Sequence, residues 1–307
     1  MPTQRKDMLG LRNVEAGFIE EILNTAVEMK RIMRAREKGI HLSGKSVVTL
    51  FYENSTRTRT SFETAAKLLS SMTTNIAASS SSVQKGESLI DTGRTLERIG
   101  ADYIVIRHPM SGAAKLLAEH VNASVINAGD GTNEHPTQAL LDMFTMKEYL
   151  GELKGLNVAI VGDILHSRVA RSNLWGLTAL GANVTFAGPG TLLPSELEHA
   201  GAKVTTDVKS AVKNADVVMA LRIQKERQQA GLIPSVREYA RFYGINDDVL
   251  SFAKPNALVM HPGPINRGVE ITGKVADSPA SVIDEQVENG VAVRMALLTL
   301  LTGRSAQ

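Results

Sequence analysis

Residues 55–59 read Ser-Thr-Arg-Thr-Arg, a run of hydroxyls and guanidinium groups suited to holding an anion. Arginine forks grip phosphate and carboxylate through paired N–H groups, and Ser55, Thr56 and Thr58 add short hydroxyl donors. The run stands between two patterns. Ser46–Tyr52 is strand-like, and Phe62, Ala65, Ala66 and Leu69 then recur at helical spacing. A helix N-terminus leaves its first N–H groups unpaired and carries partial positive charge, so strand, hydroxyl–arginine run and helix together outline a phosphate site. The glycines and the Gly-Lys-Ser/Thr ending of a Walker loop are missing. An ordinary N-cap, with Ser55 or Thr56 capping and the arginines solvated, is the structural alternative for the same residues.

Other polar side chains follow apolar, strand-like runs. Ser81 and Lys85 come after Met72–Ala78, Arg107 after Ala101–Ile106, and His135 and Gln138 beyond Ser124–Asn127. Arg168 lies beyond Asn157–Gly162, and Arg222 and Gln224 follow Asp216–Leu221. The set is rich in cations, and no acidic group of comparable position stands out, so it suits substrates with several negative charges. Arg168 near a helix start runs against the helix dipole, which favours a ligand role over a structural one. His135 reads either as a general base or as a neutral hydrogen-bond donor to an oxygen gaining charge; neighbouring cations favour the neutral imidazole. The histidines lack metal-ligand spacing, no Gly-x-Ser-x-Gly elbow is present, and Val158–Asp163 is not followed by the dinucleotide-binding glycines.

Strand patterns alternate with helical ones in both halves, which predicts an α/β chain of two doubly wound parallel-sheet domains. Helices are expected over Glu15–Lys38, His166–Leu180 and Ile283–Leu301, the last with Ile283, Val287, Val291, Leu297, Leu298 and Leu301 inward. The pattern restarts near Gly151, placing the joint near residues 135–152. Ligands of such folds bind beyond the carboxyl ends of the strands, so the polar clusters are expected to meet in one interdomain cleft. The chain has 307 residues, 43% hydrophobic and 21% charged, and a formal net charge of +2, too even for nucleic-acid binding by bulk charge. The absence of cysteine excludes disulfides, thiolate catalysis and Cys-ligated metal. Met1–Gly10 is polar and charged, unlike a secretory signal, and no stretch has the length of a membrane span; a cytoplasmic enzyme is the expectation.

Ser55–Arg59 and His135-Pro136-Thr137-Gln138 resemble the two signatures of the aspartate/ornithine carbamoyltransferase family, a likeness that runs from Lys45 to Arg294. The resemblance implies a carbamoyl-phosphate domain over 1–135, an amino-acid domain over 136–285, and a C-terminal helix over 286–307 packing back on the first. It implies that Ser55, Thr56, Arg57 and Thr58 hold the phosphate, that Arg107 and His135 contact the carbonyl oxygen and Gln138 the amide, and that Pro262 offers a backbone carbonyl to that amide. Ser81 and Lys85 would reach the neighbouring subunit's site in a homotrimer. Arg168, Arg222 and Gln224, with Lys85, would bind aspartate. Arg57, Lys85, Arg107 and His135 would be catalytic, with neither cofactor nor metal, in de novo pyrimidine biosynthesis. Arg222–Arg227 resembles the aspartate branch, and the His-Cys-Leu-Pro motif of the ornithine branch is excluded by the lack of cysteine. Gln84 and Gly263 depart from the regulated type, and Pro264–Glu270 resembles branches that form plain trimers or associate with dihydroorotase-like chains; the resemblance leaves both a dihydroorotase-like and a regulatory partner open.

Overall fold

The computed structural model describes residues 5–77, 86–224 and 231–301. The chain divides into two compact units, Met1–Leu141 with Val287–Gln307, and Asp142–Gln286. The first contains α1 (Ala16–Arg34), β1 (Ser46–Phe51), α2 (Thr56–Leu68), β2 (Met72–Ala77), α3 (Leu89–Ile99), β3 (Tyr103–His108), α4 (Ala113–Ala118), β4 (Ser124–Asp130) and the start of α5 (Pro136–Leu150). The second contains β5 (Asn157–Val161), α6 (Arg168–Ala179), β6 (Asn183–Ala187), β7 (Lys203–Thr205), α7 (Val208–Val212), β8 (Val217–Ala220), α8 (Val236–Tyr243), α9 (Asp247–Leu250), β9 (Leu258–Met260) and α10 (Gly273–Ala276). Most of α11 (Ile283–Leu300) belongs to the first.

Both sheets are wholly parallel, in the orders β2-β1-β3-β4 and β7-β6-β5-β8-β9. Parallel strands covered on both faces read as continuous apolar runs, and β4, β8 and β9 are buried along their whole length. The edge strand β2 is instead polar and largely open, with Met72 exposed. Val48, Leu50, Ile104, Ile106 and Val125 form the first core with Leu96 and Leu117 from α3 and α4. Val161, Val218 and Val259 form the second with Val212, Val249 and Val275. Each order reverses at one place, between β1 and β3 and between β5 and β8, and such switch points open the crevices that doubly wound sheets use for ligands.

Two expectations are corrected. The third strand runs through Arg107 and His108 rather than stopping at Ile106, because Phe51 and Arg107 still pair in register. Val287 is not inward but 52% exposed. The later part of α11, from Ala292 to Leu298, is buried on every side, so apolar periodicity does not single out a face there.

The end of β5 demands glycine. Gly162 has φ +145°, and a Cβ there would lie 2.5 Å from the Leu221 carbonyl oxygen. Gly162→Ala is expected to destabilise the fold by about 2 kcal/mol, from strain and overpacking together. Denaturant unfolding measures this, and an unchanged midpoint would show that β5 and β8 can part without cost.

Candidate active site

In the first unit the switch point lies between Ser55–Arg59, after β1, and Arg107, at the end of β3. Ser55 is the N-cap of α2, yet its side chain caps no backbone N–H. The first turn carries no acidic residue but does carry Arg57 and Arg59, both exposed. α1 and α4 also lack a side-chain cap and a first-turn acid, but α3 and α8 start differently. Ser88 accepts from Asp91 N–H with Asp91 in the first turn of α3, and Ser235 accepts from Glu238 N–H at the start of α8. A missing cap costs about 1 kcal/mol, and cations at the N-terminus add a few tenths. The start of α2 is therefore arranged against helix stability and in favour of an anion. Thr58 is buried beneath the turn.

Arg107 is only partly exposed; its Nε lies 3.1 Å from Glu53 Oε2, and its Nη1 donates to the Ala128 carbonyl at 3.4 Å. These contacts steer the guanidinium from both sides. The next loop is built around Asp130, whose carboxylate accepts from Asn127 Nδ2 (2.7 Å), Gly112 N–H (2.7 Å) and Glu134 N–H (3.2 Å). Glu134 in turn accepts from Leu11 and Arg12 N–H at 2.7 and 3.2 Å. His135, buried next in the chain, accepts from Gln138 N–H through its carbonyl, while Pro136 supplies the first helical position of α5, where no N–H is needed.

In the second unit Asp163, fully buried after β5, accepts from His166 N–H (3.2 Å), His166 Nδ1 (2.8 Å) and Gln224 N–H (3.1 Å). One carboxylate thus joins the loops that follow β5 and β8. Arg168 opens α6, and Ser167 caps that helix by accepting from Ala170 N–H. Beyond β8, Arg222 Nη2 donates to Gln224 Oε1 at 3.2 Å. Pro262 follows β9 beside the fully buried His261. Burial pushes the phenol of Tyr239 upward, and the charges of Glu270 and Asp163 add to this.

The structure therefore gathers Ser55–Thr58 and Arg107 at one switch point, with His135 and Gln138 after the neighbouring strand, and Arg168, Arg222 and Gln224 at the other. Ser81, Lys85 and Lys225–Arg227 lie outside the described residues. The reading that no acidic group shares these positions is overturned by Glu53 and Asp163, which hold the loops and cations rather than compete for an anion. Asn127, Asp130 and Glu134, which hold the loop leading to His135, do not stand out in the sequence; Gly129-Asp130-Gly131 is the available turn signal. Among the described residues no helix is long and apolar enough to cross a membrane, and no group of three or more His, Asp or Glu is placed to hold a metal ion.

Residues 6–148 match the aspartate/ornithine carbamoyltransferase carbamoyl-phosphate-binding domain, and residues 154–301 match the Asp/Orn-binding domain of the same family. The aspartate carbamoyltransferase catalytic subunit of Ruminiclostridium cellulolyticum is 63% identical over 99% of this chain and 97% of its own. That of Acetivibrio thermocellus is 62% identical over 100% and 98%. Among solved structures, ornithine carbamoyltransferase from Pyrococcus furiosus superposes with a TM-score of 0.88 at 32% identity, covering 99% of both chains. Aspartate transcarbamoylase from Trypanosoma cruzi, in complex with carbamoyl aspartate and phosphate, gives a TM-score of 0.87 at 30% identity over 97% and 96%. With both halves matched in order and such relatives alike from end to end, the chain belongs to the aspartate/ornithine carbamoyltransferase family.

Proposed function

We propose that the chain transfers the carbamoyl group of carbamoyl phosphate to the α-amino group of L-aspartate, giving N-carbamoyl-L-aspartate and phosphate. The observation that carries this is the uncapped, arginine-bearing start of α2 beside Arg107 at a switch point. The aspartate branch is favoured over the ornithine branch by curated relatives at 62–63% identity that are aspartate carbamoyltransferase catalytic subunits, and by a cationic second half-site that would repel ornithine.

Ser55, Thr56, Arg57 and Thr58 hold the phosphate through hydroxyls, guanidinium and the free N–H groups of the first turn. Arg107 and His135 donate to the carbamoyl oxygen, and Gln138 and the Pro262 carbonyl take the amide. Arg168, Arg222 and Gln224, with Lys85, take the two carboxylates of aspartate. The neutral amine attacks the carbamoyl carbon, a C–N bond forms, the C–O bond to phosphate breaks, and the departing phosphate can accept the amine's proton. No covalent enzyme intermediate is needed; the rate comes from orientation and from donors aimed at the developing charge. The reaction is placed in cytoplasmic pyrimidine biosynthesis, in a homotrimer completed by Ser81 and Lys85 of a neighbouring subunit.

The test is the purified protein with carbamoyl phosphate and either aspartate or ornithine, following the carbamoylated product. Product with aspartate is expected; product with ornithine alone overturns the assignment. The shared site makes its own prediction. Arg57→Ala and Lys85→Ala subunits, each nearly inactive, should regain activity on mixing, because hybrid trimers contain some sites that lack neither group. Verified subunit exchange without regain would rule out sharing.

A further inference from the structure

The loop that carries Pro262 is held by a buried polar chain that the reaction itself does not use. Backbone N–H of Gly263 donates to His261 Nδ1 at 2.8 Å. Because Nδ1 accepts there, the ring proton sits on Nε2, which faces Glu270 Oε1 at 3.1 Å. The same Glu270 oxygen accepts from Asn266 N–H at 2.6 Å. One carboxylate–imidazole unit therefore grips the loop on both sides of Pro264: directly at Asn266, and through the imidazole at Gly263. The chain continues inward. His261 N–H donates to Gln286 Oε1 (2.9 Å), Gln286 Nε2 to Asp142 Oδ1 (2.8 Å), and Asn173 Nδ2 to Asp142 Oδ2 (2.8 Å). Asn173, Asp142, Gln286, His261 and Glu270 are all buried.

Such a network is costly unless its members are paired, and a carboxylate 1% exposed is an expensive way to close a loop that apolar packing could close. What the polar version provides is direction, since hydrogen bonds fix the peptide planes around Pro262 where packing would fix only its position. We infer that Glu270 and His261 are positioning residues, which aim the Pro262 carbonyl at the amide of carbamoyl phosphate and so help to select a carbamoyl over an acyl phosphate. This rests on the carbamoyltransferase reading above and names a selectivity device within it.

The probe is acetyl phosphate, which keeps the phosphate and the carbonyl but carries a methyl group where carbamoyl phosphate has its amide. Binding of the two would be compared by equilibrium titration for the wild-type trimer and for Glu270→Ala, Glu270→Gln, His261→Ala and His261→Asn. The wild-type protein is expected to prefer carbamoyl phosphate, and the alanine variants to lose about five- to tenfold of that preference, the worth of one hydrogen bond. Their acetyl phosphate affinity should stay within about twofold, because no N–H faces Pro262 in that complex. Glu270→Gln retains an acceptor oxygen for Asn266 and Nε2, and His261→Asn retains an acceptor for Gly263 N–H; both should keep most of the preference. A purely structural role would weaken both ligands together and leave the ratio unchanged, which would overturn the inference. If the alanine variants fail to fold, His261→Gln, which moves the acceptor away from Gly263, should lower the ratio relative to His261→Asn, and equal ratios would be as damaging. A wild-type protein that forms no carbamoyl aspartate would instead refute the reading on which the inference rests.

Discussion

Arg57→Ala is expected to lower kcat by about a hundredfold or more while leaving the fold intact. The two halves of that expectation have separate grounds. Arg57 is exposed in the first turn of α2, where a cation opposes the helix dipole, so its removal should change stability by less than about 0.5 kcal/mol. Besides holding the bound phosphate, its proposed work grows as the bond to phosphate breaks and charge builds on the leaving group. A positioned donor at such a place contributes roughly 3 kcal/mol to the transition state. Arg57→Lys keeps the charge but loses the fork, and should recover only part of the rate. Steady-state kinetics beside thermal unfolding checks both halves. Near wild-type turnover, or a lost rate explained by a collapsed melting transition, would remove Arg57 from the catalytic set.

Such residues were visible in the sequence because their signal is local. Hydroxyls and arginines at the mouth of a helix are adjacent in the chain, and the strands around them announce themselves as apolar runs such as Val158-Ala159-Ile160-Val161. The alternation of strand and helix was equally local, and from it the parallel sheets followed. What stayed hidden was the support that comes from elsewhere. Glu53 meets Arg107 only because β1 and β3 are neighbours, and Asp142 meets Gln286 across 144 positions of sequence. An acidic residue after a strand carries no mark that says which distant N–H groups it will gather. Val158–Asp163 shows both sides of this. The missing glycine fingerprint disfavours a dinucleotide site, yet Gly162 still serves close strand packing, and the acid that follows it turns inward as a structural hub.

That hub carries the second large prediction. Asp163→Ala should reduce kcat/KM for aspartate by about a hundredfold, through loop position rather than lost contact with substrate. Asp163 is 0% exposed, and its two oxygens take His166 N–H, His166 Nδ1 and Gln224 N–H, so one carboxylate sets both the turn that leads into Arg168 and the segment that carries Arg222 and Gln224. Alanine leaves those donors without their acceptor, and each buried donor left unpaired costs about 1–3 kcal/mol. The cheapest relief is for the loops to move out towards water, which spoils the spacing of the groups proposed for the two carboxylates; misplacement by about an ångström is enough for losses of this size. Most groups proposed for carbamoyl phosphate (Ser55–Thr58, Arg107, His135 and Gln138) lie in the other unit, and Pro262 follows β9 rather than β5 or β8, so its affinity should change by no more than a few fold. Asp163→Asn keeps one acceptor for Gln224 N–H but sets an amide against the His166 donors, and should fall between alanine and wild type. Kinetics at varied aspartate, with separate titration of carbamoyl phosphate, distinguishes the cases: equal losses for both ligands would mean general unfolding, and an unchanged aspartate response would mean that the loops hold their place without the carboxylate.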